Sequence, residues 1–154
     1  MKKPKIAVAS DHAGFHMKEL IFKTLAKKGY EVKDFGCHSD EDVDYPDFAH
    51  LLGYAIDKNE YDLGFVFCGS GNGINMTVNK HQSVRSGLCW NAEIAQLVKA
   101  HNNANVVAIP ARFVTANEVL KIVDTFLSTE FEGGRHERRV NKIALPDLKP
   151  KQHK

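Results

Sequence analysis

The stretch that most constrains this chain is Leu63-Gly64-Phe65-Val66-Phe67-Cys68-Gly69-Ser70-Gly71-Asn72-Gly73-Ile74. It starts as a short apolar run with aromatic residues, the pattern of a buried strand. It then breaks into three glycines alternating with small polar residues, and Ile74 to Lys80 reads as the first turns of a helix. A strand that feeds a glycine-rich loop opening a helix points several backbone N–H groups and the positive end of a helix dipole at one spot. Such a spot takes an oxyanion. Cys68 closes the strand, where open α/β sheets place their ligands, and Ser70 follows in the loop.

Better-known anion loops do not fit. A P-loop requires Gly-x-x-x-x-Gly-Lys-Ser/Thr, and no lysine stands at the required place. The dinucleotide fingerprint Gly-x-Gly-x-x-Gly fails because Ile74 and Met76 occupy the third-glycine positions of its two possible registers. A cysteine phosphatase would carry an arginine six places after its cysteine, and Ile74 stands there. The remaining alternatives are a small-oxyanion loop beside a reactive thiol, or a tight turn after a core strand with an inert buried cysteine.

At 154 residues with 43% hydrophobic content, the chain has enough material for one domain with a core, and two would be cramped. We read residues 1–147 as that domain, including a basic arm over 131–147, and 148–154 as a frayed tail. A net charge of +2 does not argue for nucleic acid. The three cysteines have no metal-ligand spacing, and His12 with His16, one helical turn apart, lacks a carboxylate partner in the sequence. No metal or cofactor is expected. No apolar run is long enough to span a membrane and no leader pattern opens the chain, so a reduced cytoplasmic protein is expected.

Strand and helix signals alternate. Lys5–Ser10, Tyr30–Phe35, Leu63–Cys68, Arg85–Trp90 and Val106–Ile109 read as strands, the second nearer the sheet edge. Between them lie a helix with Phe15, Leu20, Ile21 and Leu25 on one face, helices over Phe48–Lys58 and Ala92–Ala100, and a last one over Ala116–Leu127. Gly36 to Pro46 reads as a polar loop, and Phe131 to Val140 as too polar for core. This order predicts an α/β fold, a five-stranded parallel sheet with right-handed crossovers and helices on both faces.

In a parallel sheet the residues after each strand share one rim. That rule gathers Asp11 and His12, Cys68 to Gly73, and Arg112. His101 and Asn102 break it, because they close the helix before strand five. They can reach the rim only if that connection folds over the sheet or belongs to a neighbouring subunit. Singly, Asp11 also suits a helix cap and His101 a helix C-terminus.

Ser10-Asp11-His12-Ala13-Gly14-Phe15, Asp44-Tyr45-Pro46, Cys68 to Ile74, Asn79-Lys80, His101-Asn102-Asn103-Ala104-Asn105-Val106 and Glu132-Gly133-Gly134-Arg135-His136, in that order, resemble the ribose-5-phosphate isomerase B family. Its superfamily includes the galactose-6-phosphate isomerase subunits. The resemblance implies a Rossmann-like three-layer α/β/α sandwich working as a homodimer or a dimer of dimers. The implied reaction is the metal-independent interconversion of ribose 5-phosphate and ribulose 5-phosphate through an enediolate. By resemblance Cys68 is the proton-transfer base, working as a thiolate favoured by the surrounding N–H groups. Ser70 assists proton movement, and His101 opens the sugar ring. Asp11, His12, Tyr45, Asn102 and Arg112 would contact substrate together with the loop residues Gly69, Gly71, Asn72 and Gly73. Arg135 and Arg139 would clamp the phosphate from across a dimer interface.

Family members that lack the cysteine use a glutamate in the following helix. Asn75 to Thr77 hold no acid here, which favours the cysteine branch. Cys37 and Cys89 match no catalytic position. Asn72 stands where bulkier apolar residues are common. The alternatives are an allose- or galactose-6-phosphate isomerase, or a sugar-phosphate binder without activity; retention of Cys68, Ser70 and His101 together speaks against the last.

Overall fold

The computed structural model describes residues 2–146. Its sheet is built from β1 (Ile6–Ser10), β2 (Val32–Asp34), β3 (Leu63–Cys68), β4 (Ser86–Leu88) and β5 (Val106–Pro110). All pairings are parallel, in the order β2-β1-β3-β5-β4. The edge positions go to the two three-residue strands, as expected for the second. The helices are α1 (Phe15–Lys27), α2 (Tyr45–Asp57), α3 (Asn72–Val78), α4 (Ala92–Ala100), α5 (Ala116–Ser128) and α6 (Arg135–Val140).

Side chains on the three inner strands alternate between two cores, because successive residues of a strand face opposite ways. Ile6, Val8, Phe65, Phe67, Val107 and Ile109 pack with Ile21 and Leu25 of α1 and with Val119, Ile122 and Phe126 of α5. Ala7, Ala9, Val66, Cys68, Val106 and Ala108 pack with Ala49, Leu52 and Ile56 of α2 and with Ile74 and Val78 of α3. The second face is lined with small residues, so α2 and α3 lie close to the sheet. This is the expected three-layer α/β/α sandwich.

Four local expectations change. Helix α2 begins at Tyr45, three residues early, because Pro46 sits in its first turn, where a missing N–H costs nothing. Helix α3 begins at Asn72, directly from the left-handed Gly71 (φ 75°). On α1 the buried face runs through Lys18 rather than Leu20. Lys18 is fully buried, yet donates to Asp34 Oδ2 at 2.5 Å and Glu19 Oε1 at 2.9 Å, which neutralises its charge and ties α1 to edge strand β2. Finally, the segment read as too polar for core forms α6. Its His136 and Val140, one turn apart, are each 8% exposed while Arg135, Glu137, Arg138 and Arg139 face outward. The tail 148–154 lies outside the described residues.

Helix α1 meets β3 with no room to spare. A Cβ on Gly14 would lie 2.5 Å from Phe67 Cβ and 2.6 Å from its carbonyl oxygen. Backbone cannot yield as a side chain can, so Gly14→Ala should lower the unfolding free energy by about 1–3 kcal/mol. Urea denaturation measures this; an unchanged midpoint would show that α1 is not held this tightly.

Candidate active site

The strand order fixes where a ligand can enter. From β1 the chain crosses to β2 on one side, and from β3 it crosses toward β4 on the other. The carboxyl ends of β1 and β3 therefore diverge and leave a crevice, the usual ligand position of an open α/β sheet. A cleft of about 540 Å³ opens there, lined by Asp11, His12, Gly69 and Arg112 with the segment Val43–Asp47.

Each wall has a local cause. Asp11 Oδ1 accepts the Gly14 N–H at 3.1 Å, so the carboxylate caps the turn into α1 while it borders the cleft. The Val43 N–H donates to His12 Nδ1 at 3.2 Å, and His12 Nε2 lies 3.5 Å from the Asp42 carboxylate. That arrangement suits the tautomer protonated on Nε2. His16 is 79% exposed beside Asp40 and takes no part. Arg112 lies over Gly69: a Cβ there would be 3.2 Å from its Nη1. The Arg112 N–H donates to the Gly69 carbonyl and the Ala111 N–H to that of Cys68, which ties the loop after β5 to the glycine loop. Tyr45 leans on the same loop, since a Cβ on Gly73 would lie 2.4 Å from its ring. Gly71 is equally constrained, with Leu88 Cδ1 at 2.5 Å from where its Cβ would stand. Ser70 and Asn72 are exposed at the loop's tip, and Ser70 Oγ accepts the Asn72 N–H at 3.3 Å.

Cys68 is 4% exposed, its side chain turned into the alanine-lined core under the loop. Burial pushes its thiol above the ordinary cysteine pKa. The N–H groups of Ile74, Gly71 and Gly73 oppose this and favour the thiolate, as the sequence argument expects, while the Asp11 carboxylate adds to the upward shift. The net direction is up: burial outweighs the amides, and the resting sulfur is a thiol. Cys89 is inert, pushed up to about 12 by burial.

The remaining predicted residues are elsewhere. Helix α4 runs back against the strands, so His101 at its C-terminus and Asn102 after it lie at the sheet's amino edge, opposite the cleft. Arg85, which leads into β4, holds that corner by donating to the Asn102 carbonyl at 2.8 Å. Helix α6 sits at the same edge. The Glu132 N–H donates to the Ala100 carbonyl at 3.0 Å, and the rings of His101 and His136 stack. Arg135 and Arg139 are exposed there. Within one chain the predicted residues thus fall into two groups on opposite edges of one sheet. Sequence reasoning missed Asp47, which lines the cleft, and Glu132, which faces His101. Only the run of acids before Pro46 hinted at the first.

The sequence model of the ribose/galactose isomerase family matches residues 6–143. The chain belongs to that family. It is 45% identical over 140 residues to the probable ribose-5-phosphate isomerase B of Mycoplasma genitalium, covering 90% of this chain and 92% of that one. It is 40% identical to ribose-5-phosphate isomerase B of Escherichia coli, covering 90% and 93%. Among solved structures, a ribose 5-phosphate isomerase from Thermotoga maritima superposes with a TM-score of 0.90 at 47% identity, covering 93% and 99%. The Mycoplasma genitalium enzyme, solved with bound ribulose-5-phosphate, gives 0.87 at 45%, covering 90% and 93%. Among the described residues no helix is long and apolar enough to cross a membrane.

The thiol's environment has a direct readout. Alkylation of Cys68 by iodoacetamide, followed on its own peptide by mass spectrometry, should rise with pH around a midpoint above that of free cysteine. A midpoint below it would mean that the amides, and not burial, set the resting charge.

Proposed function

We propose that this protein is a metal-independent aldose–ketose isomerase that interconverts ribose 5-phosphate and ribulose 5-phosphate. The observation that carries the reading is Cys68 at the carboxyl end of β3, under a loop whose Ile74, Gly71 and Gly73 N–H groups favour the thiolate, in a chain of this family. Moving a carbonyl between neighbouring carbons requires one base to take a proton from C2 and return it at C1. Cys68 supplies that base, and the three amides stabilise the thiolate when it forms and the enediolate oxygens beside it. One such preorganised donor is typically worth about 3 kcal/mol in the transition state. Ser70 in the same loop assists proton movement at the sugar oxygens. Asp11, His12, Tyr45 and Arg112, with Gly69, Gly71, Asn72 and Gly73, hold the sugar.

Ribose 5-phosphate rests as a closed furanose, so the ring opens first. His101 does this, an imidazole being suited to acid–base work near neutral pH. Asn102 contacts the sugar, and Arg135 with Arg139 bind the phosphate as paired guanidinium forks. Because these residues lie at the edge opposite the cleft, a second copy completes each site. The working unit is a homodimer or a dimer of dimers, residues 1–147 act as one domain with the arm engaging the neighbour, and the enzyme works in the cytoplasm.

Purified protein with chelator present should turn over ribose 5-phosphate in preference to allose 6-phosphate. Cys68→Ala should abolish deuterium uptake from solvent into the sugar while phosphate-sugar binding persists. Preference for the hexose would move the substrate class, and binding without turnover of either would leave a sensor rather than an enzyme.

Sharing of the site predicts complementation. Cys68→Ala and His101→Ala should each be inactive, but equal amounts dissociated and reassociated should recover about a quarter of wild-type sites, the statistical yield for a two-fold dimer. Recovery of none would place each complete site within one copy.

A further inference from the structure

His101 is embedded in a small assembly at the sheet's amino edge. Its imidazole stacks on that of His136, with centroids 4.1 Å apart and planes within 10° of parallel. Both Nε2 atoms face one oxygen: Glu132 Oε2 lies 3.3 Å from His136 and 3.8 Å from His101. The backbone of Glu132 is anchored to the last turn of α4 by its bond to Ala100. His136 is 8% exposed, and its Nε2 has no aligned hydrogen-bond partner among the described residues.

The three ligand atoms lie within 4.8 Å of one another, a spacing a metal ion can bridge. The stack argues against that use. Imidazole lone pairs lie in the ring plane, and one ion cannot lie in two parallel planes unless a ring turns out of the stack. A proton needs no such convergence. Two stacked imidazoles cannot both carry charge cheaply, and a single carboxylate neutralises only one. Desolvation, helped by the charges of His101, Arg135 and Arg139, holds His136 below the ordinary histidine pKa, with Glu132 opposing.

We propose that Glu132 and the ring of His136 position His101 for opening the sugar ring, the stack fixing the plane of the imidazole and the carboxylate its orientation. The inference rests on the reading of His101 as the ring-opening group. In the step, the C1–O4 bond breaks and its electron pair goes to O4, which takes the proton of His101. The C1 hydroxyl releases its proton to water as the C1 carbonyl forms, and His101 is reprotonated from solvent. Glu132 and His136 touch no reacting atom. They act through His101, as carboxylates orient catalytic histidines elsewhere.

The test separates ring opening from proton transfer at carbon. Ribose 5-phosphate enters as a ring, whereas ribulose 5-phosphate cannot close one, because its C5 oxygen carries the phosphate. Glu132→Gln keeps the shape and removes the charge. It should lower kcat for ribose 5-phosphate about tenfold with KM nearly unchanged, while deuterium wash-in at C1 of ribulose 5-phosphate stays within about twofold of wild type. His136→Phe, which keeps a flat ring in the stack, should retain more forward turnover than His136→Ala. Equal losses in both assays, or no loss in either, would overturn the role of Glu132; equal behaviour of the two His136 variants would overturn that of the stack. Wild-type protein without wash-in would instead refute the isomerase reading itself, so the two failures are distinguishable.

Discussion

A parallel sheet cannot scatter its strand ends: all carboxyl ends emerge on one edge, and the loops that leave them are the material available for a site there. Here the order β2-β1-β3-β5-β4 adds a second constraint, since the chain departs in opposite directions after β1 and β3. The gap between those departures becomes the cleft, and β3, with hydrogen-bonded strands on both sides and helices on both faces, is rigid enough to hold a thiol beside it. The same geometry sends every returning helix to the far edge. It therefore divides the predicted site residues into a rim set and an amino-edge set, whatever their chemistry.

Much of this was legible because it was local. The β3–glycine-loop–α3 unit is written in consecutive residues, and the strand-end rule alone singles out His101 and Asn102 as misplaced. The less legible features depend on tertiary context. Lys18 interrupts an apolar face, and nothing near it in sequence shows that Asp34 waits across the α1–β2 packing. Helix α6 is six residues long with two inward positions, too short for periodicity to register. The charge state of Cys68 depends on how deep the sulfur sits, which amide counting along the loop cannot give.

The stacked histidines show how closely polar groups are gathered at the edge opposite the cleft. A buried imidazole with an unaligned nitrogen, a carboxylate facing both stacked rings and two exposed arginines one turn apart meet there. Burying the His136 nitrogen without an aligned partner is costly.

The face of the sheet that carries Cys68 is lined by Ala7, Ala9 and Ala108, so α2 sits close against it. The first turn of α2 carries Tyr45 and Asp47 into the cleft wall. The bore of the cleft is thus set from behind, by methyl groups that never meet the substrate. A chain of this design can be re-gauged for a longer sugar by thickening that layer, which moves α2 outward as a unit and leaves every residue that contacts the ligand unchanged.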